Sequence, residues 1–235
     1  MIIMDLILIG IIILLPLLAQ IGINSTYNKY SKETNSVGMT GEEVARKILD
    51  KNGLSNVTIG RVGGNLTDHY DPRSKNINLS DGIYSSKSIS AVSVAAHECG
   101  HAIQHKESYS FLTFRTKLVP IVNFTSRFAT IFIFIGFVSE LLDIVYIGIF
   151  LMLFGLLFQL ITLPVEFDAS RRGKEELKRL GLISDKDIKG SKKVLRAAAM
   201  TYVASFLATA LQILRLVLIS NRRNWSTDQF FYKKK

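Results

Sequence analysis

Residues 118–163 form an apolar block with room for two bilayer crossings of about 20 residues each, and its clearest polar break falls at Ser139-Glu140 and Asp143. A backbone inside hydrocarbon has to satisfy its own hydrogen bonds, so such a block predicts two transmembrane helices joined by a tight turn. Asn123, Thr125, Ser126 and Arg127 lie inside the first crossing and are too polar for lipid; they are expected to face protein or water. Residues 1–23 are a second apolar run, broken by Asp5, Gly10, Pro16, Gln20 and Gly22. No Lys or Arg precedes its core, and Ala19-Gln20-Ile21 lacks the small terminal residue of a cleavage site, so it reads as a retained anchor. A last run, 194–219, carries Arg196, Thr201, Gln212 and Arg215 and either spans the bilayer or lies partly in its interface. The expectation is an α-helical integral membrane protein with about four transmembrane or membrane-associated helices.

The net charge of +10 raises the question of nucleic acid, and the placement of the charge answers it. Basic residues bracket the apolar runs: Arg115 and Lys117 before one, Arg171, Arg172 and Lys174 after another, Lys192 and Lys193 before a third, Arg222 and Arg223 after it. Such positions suit acidic headgroups at a bilayer surface, and no nucleic-acid recognition motif accompanies them. The lipid bilayer is therefore an expected partner and nucleic acid is not. A single cysteine, Cys99, excludes an intramolecular disulfide and a four-cysteine zinc site, so metal chemistry has to come from His and carboxylate.

Between the membrane runs lies a segment of different character. Residues 24–36 are polar and read as a linker or the first solvated turns beyond the membrane. Thr40-Gly41-Glu42-Glu43 sets a carboxylate three residues after a hydroxyl, and Val44, Ile48 and Leu49 form the stripe of a small amphipathic helix ending near Asn52-Gly53. Residues 57–59, 66–70 and 77–79 favour short strands, with a turn at Asp71-Pro72-Arg73-Ser74, and predict a hairpin or small sheet. Residues 88–109, rich in Ala, Val and Ile and free of proline, predict a buried helix.

That helix carries His97-Glu98-Cys99-Gly100-His101. Residues four apart share one face of a helix, so both imidazoles can reach one Zn²⁺, while Glu98 is rotated towards the open coordination position and can act as general base on a metal-activated water. The flanks Val94-Ala95-Ala96 and Ala102-Ile103 are uncharged, as a buried metal-bearing helix requires; two histidines and a glutamate on an exposed amphipathic helix would sit among more charge. Catalytic zinc takes a third protein ligand. No histidine follows His105, which leaves His105, His69 or a carboxylate. His105 lies roughly 80° round the helix from His97, which makes one metal on all three histidines difficult. Glu166, just past a membrane run, is a candidate ligand, although Glu166 and Asp168 could equally solvate a helix start.

The helix His97-Glu98-Cys99-Gly100-His101-Ala102-Ile103-Gln104, the turn Asp68-His69-Tyr70-Asp71-Pro72 and residues 163–172 together resemble the bacterial membrane proteins called putative neutral zinc metallopeptidases, over most of the chain. More distantly the sequence is similar to membrane gluzincins such as the CAAX prenyl endopeptidases and the heat-shock membrane peptidases. The resemblance implies an α+β zincin-like (gluzincin) core. In those proteins the third zinc ligand is the Glu of an E-x-x-A-D motif on a later helix, which Glu166-Phe167-Asp168-Ala169-Ser170 matches at Glu166 and Ala169. It therefore implies one Zn²⁺ held by His97, His101 and Glu166. Ser170 stands where the motif has Asp, so the carboxylate that would orient a ligand histidine is missing there, with Asp168 as a substitute. The same resemblance implies that the strand at residues 77–79 pairs with an extended substrate, and it leaves His69 either as an oxyanion or substrate contact or as an ordinary turn histidine.

Topology supplies an independent check. If His97, His101 and Glu166 share a metal, an even number of crossings must separate Gln104 from Pro164, and the two-span hairpin provides it. Lys29, Lys32, Arg115, Lys117, Arg171, Arg172 and Lys174 crowd the metal side while the hairpin tip carries Glu140 and Asp143, which puts the site on the cytoplasmic side of a bacterial plasma membrane; the basic tail runs against this if the last run spans. The expected organisation is an anchor at 1–23, a zincin-like domain at 24–117, a membrane hairpin at 118–163, a third-ligand segment at 164–193, a membrane helix at 194–219 and a basic tail at 220–235. The expected activity is zinc-dependent endopeptidase cleavage of polypeptides, membrane proteins among them. A non-catalytic zinc-binding scaffold or chaperone-like protein is the alternative, against which Glu98 weighs, since a structural metal site needs no unliganded carboxylate there. A zinc-dependent hydrolase of small amides shares the chemistry but requires a closed pocket.

Overall fold

The apolar runs fold as helices longer than their apolar parts. In a computed structural model, which describes residues 2–232 with side chains from 3 to 221, the chain forms α1 (Ile2–Tyr30), α2 (Gly41–Lys51), β1 (Thr58–Val62), β2 (His69–Asp71), β3 (Asn76–Ser80), α3 (Asp81–Tyr84), α4 (Ile89–Lys106), α5 (Ser110–Val138), α6 (Leu142–Arg179) and α7 (Ile188–Tyr232). Among the described residues four helices, Ile3–Tyr30, Ser110–Val138, Leu142–Arg179 and Ile188–Asn221, are long and apolar enough to cross a membrane. The end of the basic tail, Lys233, Lys234 and Lys235, lies outside the described residues, as do the side chains of Arg222 and Arg223.

The chain divides into two units, each described here by itself. One comprises residues 1–18, 114–161 and 202–235. Its tight turn between α5 and α6 uses Glu140 at φ 59°, and the helices approach closely where Gly148 faces the backbone of Ala129. Val145, Ile149, Ile213 and Leu216 form its buried core, while Leu6, Phe124, Phe134, Phe150 and Leu214 point outwards, as a lipid-facing surface requires. Asp5 of α1 accepts from Arg215 of α7 at 2.8 and 3.2 Å, so two charges expensive in hydrocarbon neutralise each other. Of the four polar residues expected to face protein or water on α5, Thr125 is buried, and Asn123, Ser126 and Arg127 are exposed.

The other unit comprises residues 19–113 and 162–201. Residues 24–30 are not linker: α1 continues through them, because Ile23, Tyr27 and Tyr30 bury one side of its last turns and Ser90 Oγ donates to the Tyr27 carbonyl at 3.1 Å. Helix α2 starts where the sequence predicts it, with a full capping box: Glu43 N–H donates to Thr40 Oγ1 at 3.2 Å and Thr40 N–H to Glu43 Oε2 at 2.8 Å. Val44, Ile48 and Leu49 pack there with Ile77 and Leu79 of β3 and with Ala91, Val92 and Ala95 of α4.

The sheet has three strands in the order β1-β3-β2, with β1 parallel and β2 antiparallel to β3. This corrects the expectation for residues 77–79. They form the central strand, both of whose edges are paired, and no extended substrate can add to them.

Pro164 lies inside α6. It does not end the membrane run's helix; α6 continues through it to Arg179. A proline inside a helix costs about 3 kcal/mol or more through its missing N–H and its clash with the preceding turn. Beyond it, Val165, Ala169 and Leu177 are fully buried at spacings of four and eight on one face, with Val165 and Leu177 each worth about 1.5–3 kcal/mol, so the packed face outweighs the break.

Helix α6 meets α4 along two glycines. A Cβ on Gly100 would overlap the backbone carbonyl of Ala169, and one on Gly173 would overlap that of Ala96. Backbone faces backbone at both points, and neither can yield as a side chain would. Gly100→Ala and Gly173→Ala should each destabilise by about 1–3 kcal/mol or prevent folding, whereas Gly155→Ala, where nothing lies within 4 Å of the added carbon, should leave the thermal midpoint in detergent unchanged or higher.

Candidate metal centre

His97 and His101 project from one face of α4 with ring centroids 4.7 Å apart and edge to face. The close contact of α4 with α6 brings Glu166 against them: its Oε2 is 3.3 Å from His97 Nε2 and 3.7 Å from His101 Nε2. The three residues offer ligand atoms that all lie within 4.8 Å of one another, and they are the cluster among the described residues that could hold a metal ion. Donors about 2.0–2.1 Å from one tetrahedral zinc stand roughly 3.4 Å apart, so the two carboxylate distances match a shared ion, and two imidazoles with a carboxylate are a donor set that zinc accepts. Glu166 is 3% exposed, and a carboxylate so deeply buried demands a cation or donors close by.

Glu98 lies beside this cluster rather than in it. It is buried, and burial pushes its carboxyl up to about 7, with the charges of Glu166 and Asp68 pushing the same way; His97 and the Tyr70 backbone N–H oppose them. The Tyr70 bond ties Glu98 to β2, whose other edge is not paired in the sheet. Asp68, at the start of that strand, accepts from Ser80 N–H at 2.7 Å and from Ser80 Oγ at 3.1 Å, and so fixes the approach of β2 to β3.

Each of the two histidines has a partner on its other nitrogen. His97 Nδ1 lies 3.0 Å from Ser170 Oγ, so the hydroxyl fills the position where the carboxylate was missing. His101 Nδ1 lies 3.0 Å from Gln104 Oε1, and Gln104 Nε2 donates to Asp168 Oδ2 at 2.9 Å. Asp168 thus stands one amide removed from a histidine instead of touching it, and is held by Arg171 and Arg172, the latter also paired with Glu107.

The remaining histidines are elsewhere. His105 Nδ1 meets the Tyr70 hydroxyl at 2.8 Å. His69 is exposed, with Nδ1 2.8 Å from the Thr67 carbonyl and Nε2 3.1 Å from Asn78 Nδ2 of β3, so both ring nitrogens are engaged within the β2–β3 pair and its entry. Gln104, Ser170 and Tyr70 are the site residues that the sequence did not single out in these roles. The three-residue spacing of Gln104 from His101, which puts both on one helix face, was the signal available.

The model of a family described as "Putative neutral zinc metallopeptidase" matches residues 5–221. The chain belongs to this family. It is also 48% identical over 201 residues to "Putative membrane protease YugP" of Bacillus subtilis (strain 168), an alignment covering 86% of this chain and 89% of that protein. No solved structure matches it. Membership of a zinc metallopeptidase family and a cluster of His97, His101 and Glu166 that could bind a metal agree on the ion. His69→Ala and His105→Ala should retain the zinc bound by the purified wild type, whereas His97→Ala and His101→Ala should lose it, as read by elemental analysis after detergent purification and desalting.

Proposed function

We propose that the chain is a membrane-bound zinc endopeptidase with one zinc per chain, held by His97, His101 and Glu166, and with Glu98 as general base. The observation that carries this reading is the convergence of two imidazole nitrogens and one buried carboxylate oxygen, 3.3 and 3.7 Å from them, beside a second carboxylate, Glu98. Zinc, when bound, supplies Lewis-acid polarisation of a carbonyl and of a water molecule. Glu98 takes a proton from the attacking water as its hydroxyl adds to the peptide carbonyl carbon. The same carboxyl then gives that proton to the amine nitrogen as the C–N bond breaks. Burial raises the proton affinity of its carboxyl, which suits it to accepting a proton from the water. The Tyr70 N–H holds the carboxylate in place.

The substrates we propose are polypeptides, membrane proteins among them. The α4–α6 site with its small sheet would be a zincin-like core of the gluzincin type, with residues 24–117 and 164–193 contributing to it and 1–23, 118–163 and 194–219 lodged in the bilayer. The density of Lys and Arg near Arg115 and Arg171 supports a plasma-membrane protein with its site facing the cytoplasm.

Metal content and cleavage of an unfolded test protein by the detergent-purified chain test the chemistry. Glu98→Gln should keep zinc and lose cleavage by at least about 100-fold, and Glu166→Ala should lose zinc. Unchanged cleavage by Glu98→Gln would remove the activity from this site. Orientation is read separately: Cys99 is fully buried, so a cysteine introduced at Glu140 of the hairpin turn reports alone, and it should react with an impermeant maleimide added outside intact cells while one at Ser55 should not. The reverse pattern would put the site outside.

A further inference from the structure

Gln104 is fully buried, and its amide has three partners, two of which dictate how it must be turned. Nε2 lies 2.8 Å from the carbonyl oxygen of Val165 and 2.9 Å from Asp168 Oδ2. A backbone carbonyl can only accept. The Asp168 carboxylate, held by the guanidiniums of Arg171 and Arg172, accepts as well. An amide flipped end for end would set Oε1 against both oxygens and leave buried acceptors facing one another, each such loss costing about 1–3 kcal/mol. Oε1 is thereby aimed at His101 Nδ1, 3.0 Å away, and an amide oxygen can only accept.

We infer that Gln104 is a positioning residue that fixes His101 with its proton on Nδ1, leaving the Nε2 lone pair directed at the Glu166 carboxylate and any ion beside it. The inference rests on the metal-site reading above. It sets the two histidines apart. His97 Nδ1 meets the Ser170 hydroxyl, which can donate or accept and so selects neither tautomer. His101 meets a group with no such freedom, because the Val165 carbonyl and Asp168 have already used the amide's donors. Val165 immediately precedes Glu166, so the backbone that presents the third ligand also turns the amide that orients His101. The orientation of one ligand is thus tied to the placement of another, and Arg172, bonded to both Asp168 and Glu107, anchors the arrangement at the C-terminal end of α4.

Two measurements on the full-length chain in detergent test this. Long-range ¹⁵N–¹H spectra of histidine-labelled wild type, assigned through the His69, His97 and His105 variants, should show His101 protonated at Nδ1 in the zinc-free protein, where no metal ligation dictates the tautomer. Competition between the protein and a chromophoric chelator for zinc should show Gln104→Met, which fills the same volume without polar atoms, binding about 10–100-fold more weakly than wild type, with the His101 signature lost. Wild-type zinc affinity in Gln104→Met, or wild-type His101 found protonated at Nε2 or bound through Nδ1, overturns the inference. The wild-type spectrum decides even if Gln104→Met does not fold. A wild type that binds no zinc overturns the metal-site reading and this inference with it, whereas a zinc-binding wild type with an unaffected Gln104→Met overturns this inference alone.

Discussion

The contact of α4 with α6, backbone against backbone at Gly100 and Gly173, is the constraint on which the site depends. Two helices carrying ordinary side chains pack with axes about 8–10 Å apart, and the reach of a glutamate over that gap varies with every rotamer. Where the glycines remove the intervening carbons, Glu166 has little freedom left and its carboxylate falls between two imidazoles. The partners of those imidazoles, Ser170 and Gln104 with Asp168, come from the same pair of helices. One packing contact therefore sets both the His97, His101 and Glu166 cluster and the groups that orient it, and a disturbance at either glycine would be felt by all of them.

What the sequence made legible follows a physical division. Features that one helix encodes by itself could be read directly: the four-residue spacing of His97 and His101, the capping box at Thr40, and the apolar runs, whose length is dictated by the bilayer. Glu166 needed an argument across the chain, and the resemblance together with the even number of crossings supplied it. Gln104 escaped because its role depends on acceptors from α6, Val165 and Asp168, whose approach no local pattern announces. The position of Asp168 one amide away from His101, and the hydroxyl of Ser170 against His97, belong to the same class of information.

The misreadings have equally specific causes. The sequence allowed a hairpin or a small sheet, and a three-stranded sheet is found; that β3 pairs with both β1 and β2, so that the edge the resemblance gave to a substrate is not free, is a matter of topology that strands of three to five residues do not record. Pro164 closes the apolar run of the sequence, and local propensity disfavours it inside a helix. The apolar stripe of Val165, Ala169 and Leu177 beyond it is a stronger term, but it becomes visible only once the surface it packs against is known. For residues 24–30, read as a linker or as the first solvated turns beyond the membrane, the second reading holds: α1 continues through them, with Tyr27 and Tyr30 the buried members of a segment whose average composition is hydrophilic.

The position of Cys99 has a consequence for the identity of the ion. It stands midway in sequence between the two metal-side histidines, and a thiolate is the softest donor any protein can offer. The turn of α4 aims it the other way, into the core, where its Sγ faces the carbonyl of Ala45 at 3.6 Å and burial raises the thiol well above its ordinary range. The centre is thus left to nitrogen and oxygen donors although sulfur lies two residues from each histidine, which disfavours thiophilic ions such as monovalent copper and suits the borderline character of zinc. A helix of different pitch would bring the thiol round towards the ligands; in this sense the regularity of α4 is itself a filter on which metals the protein can keep.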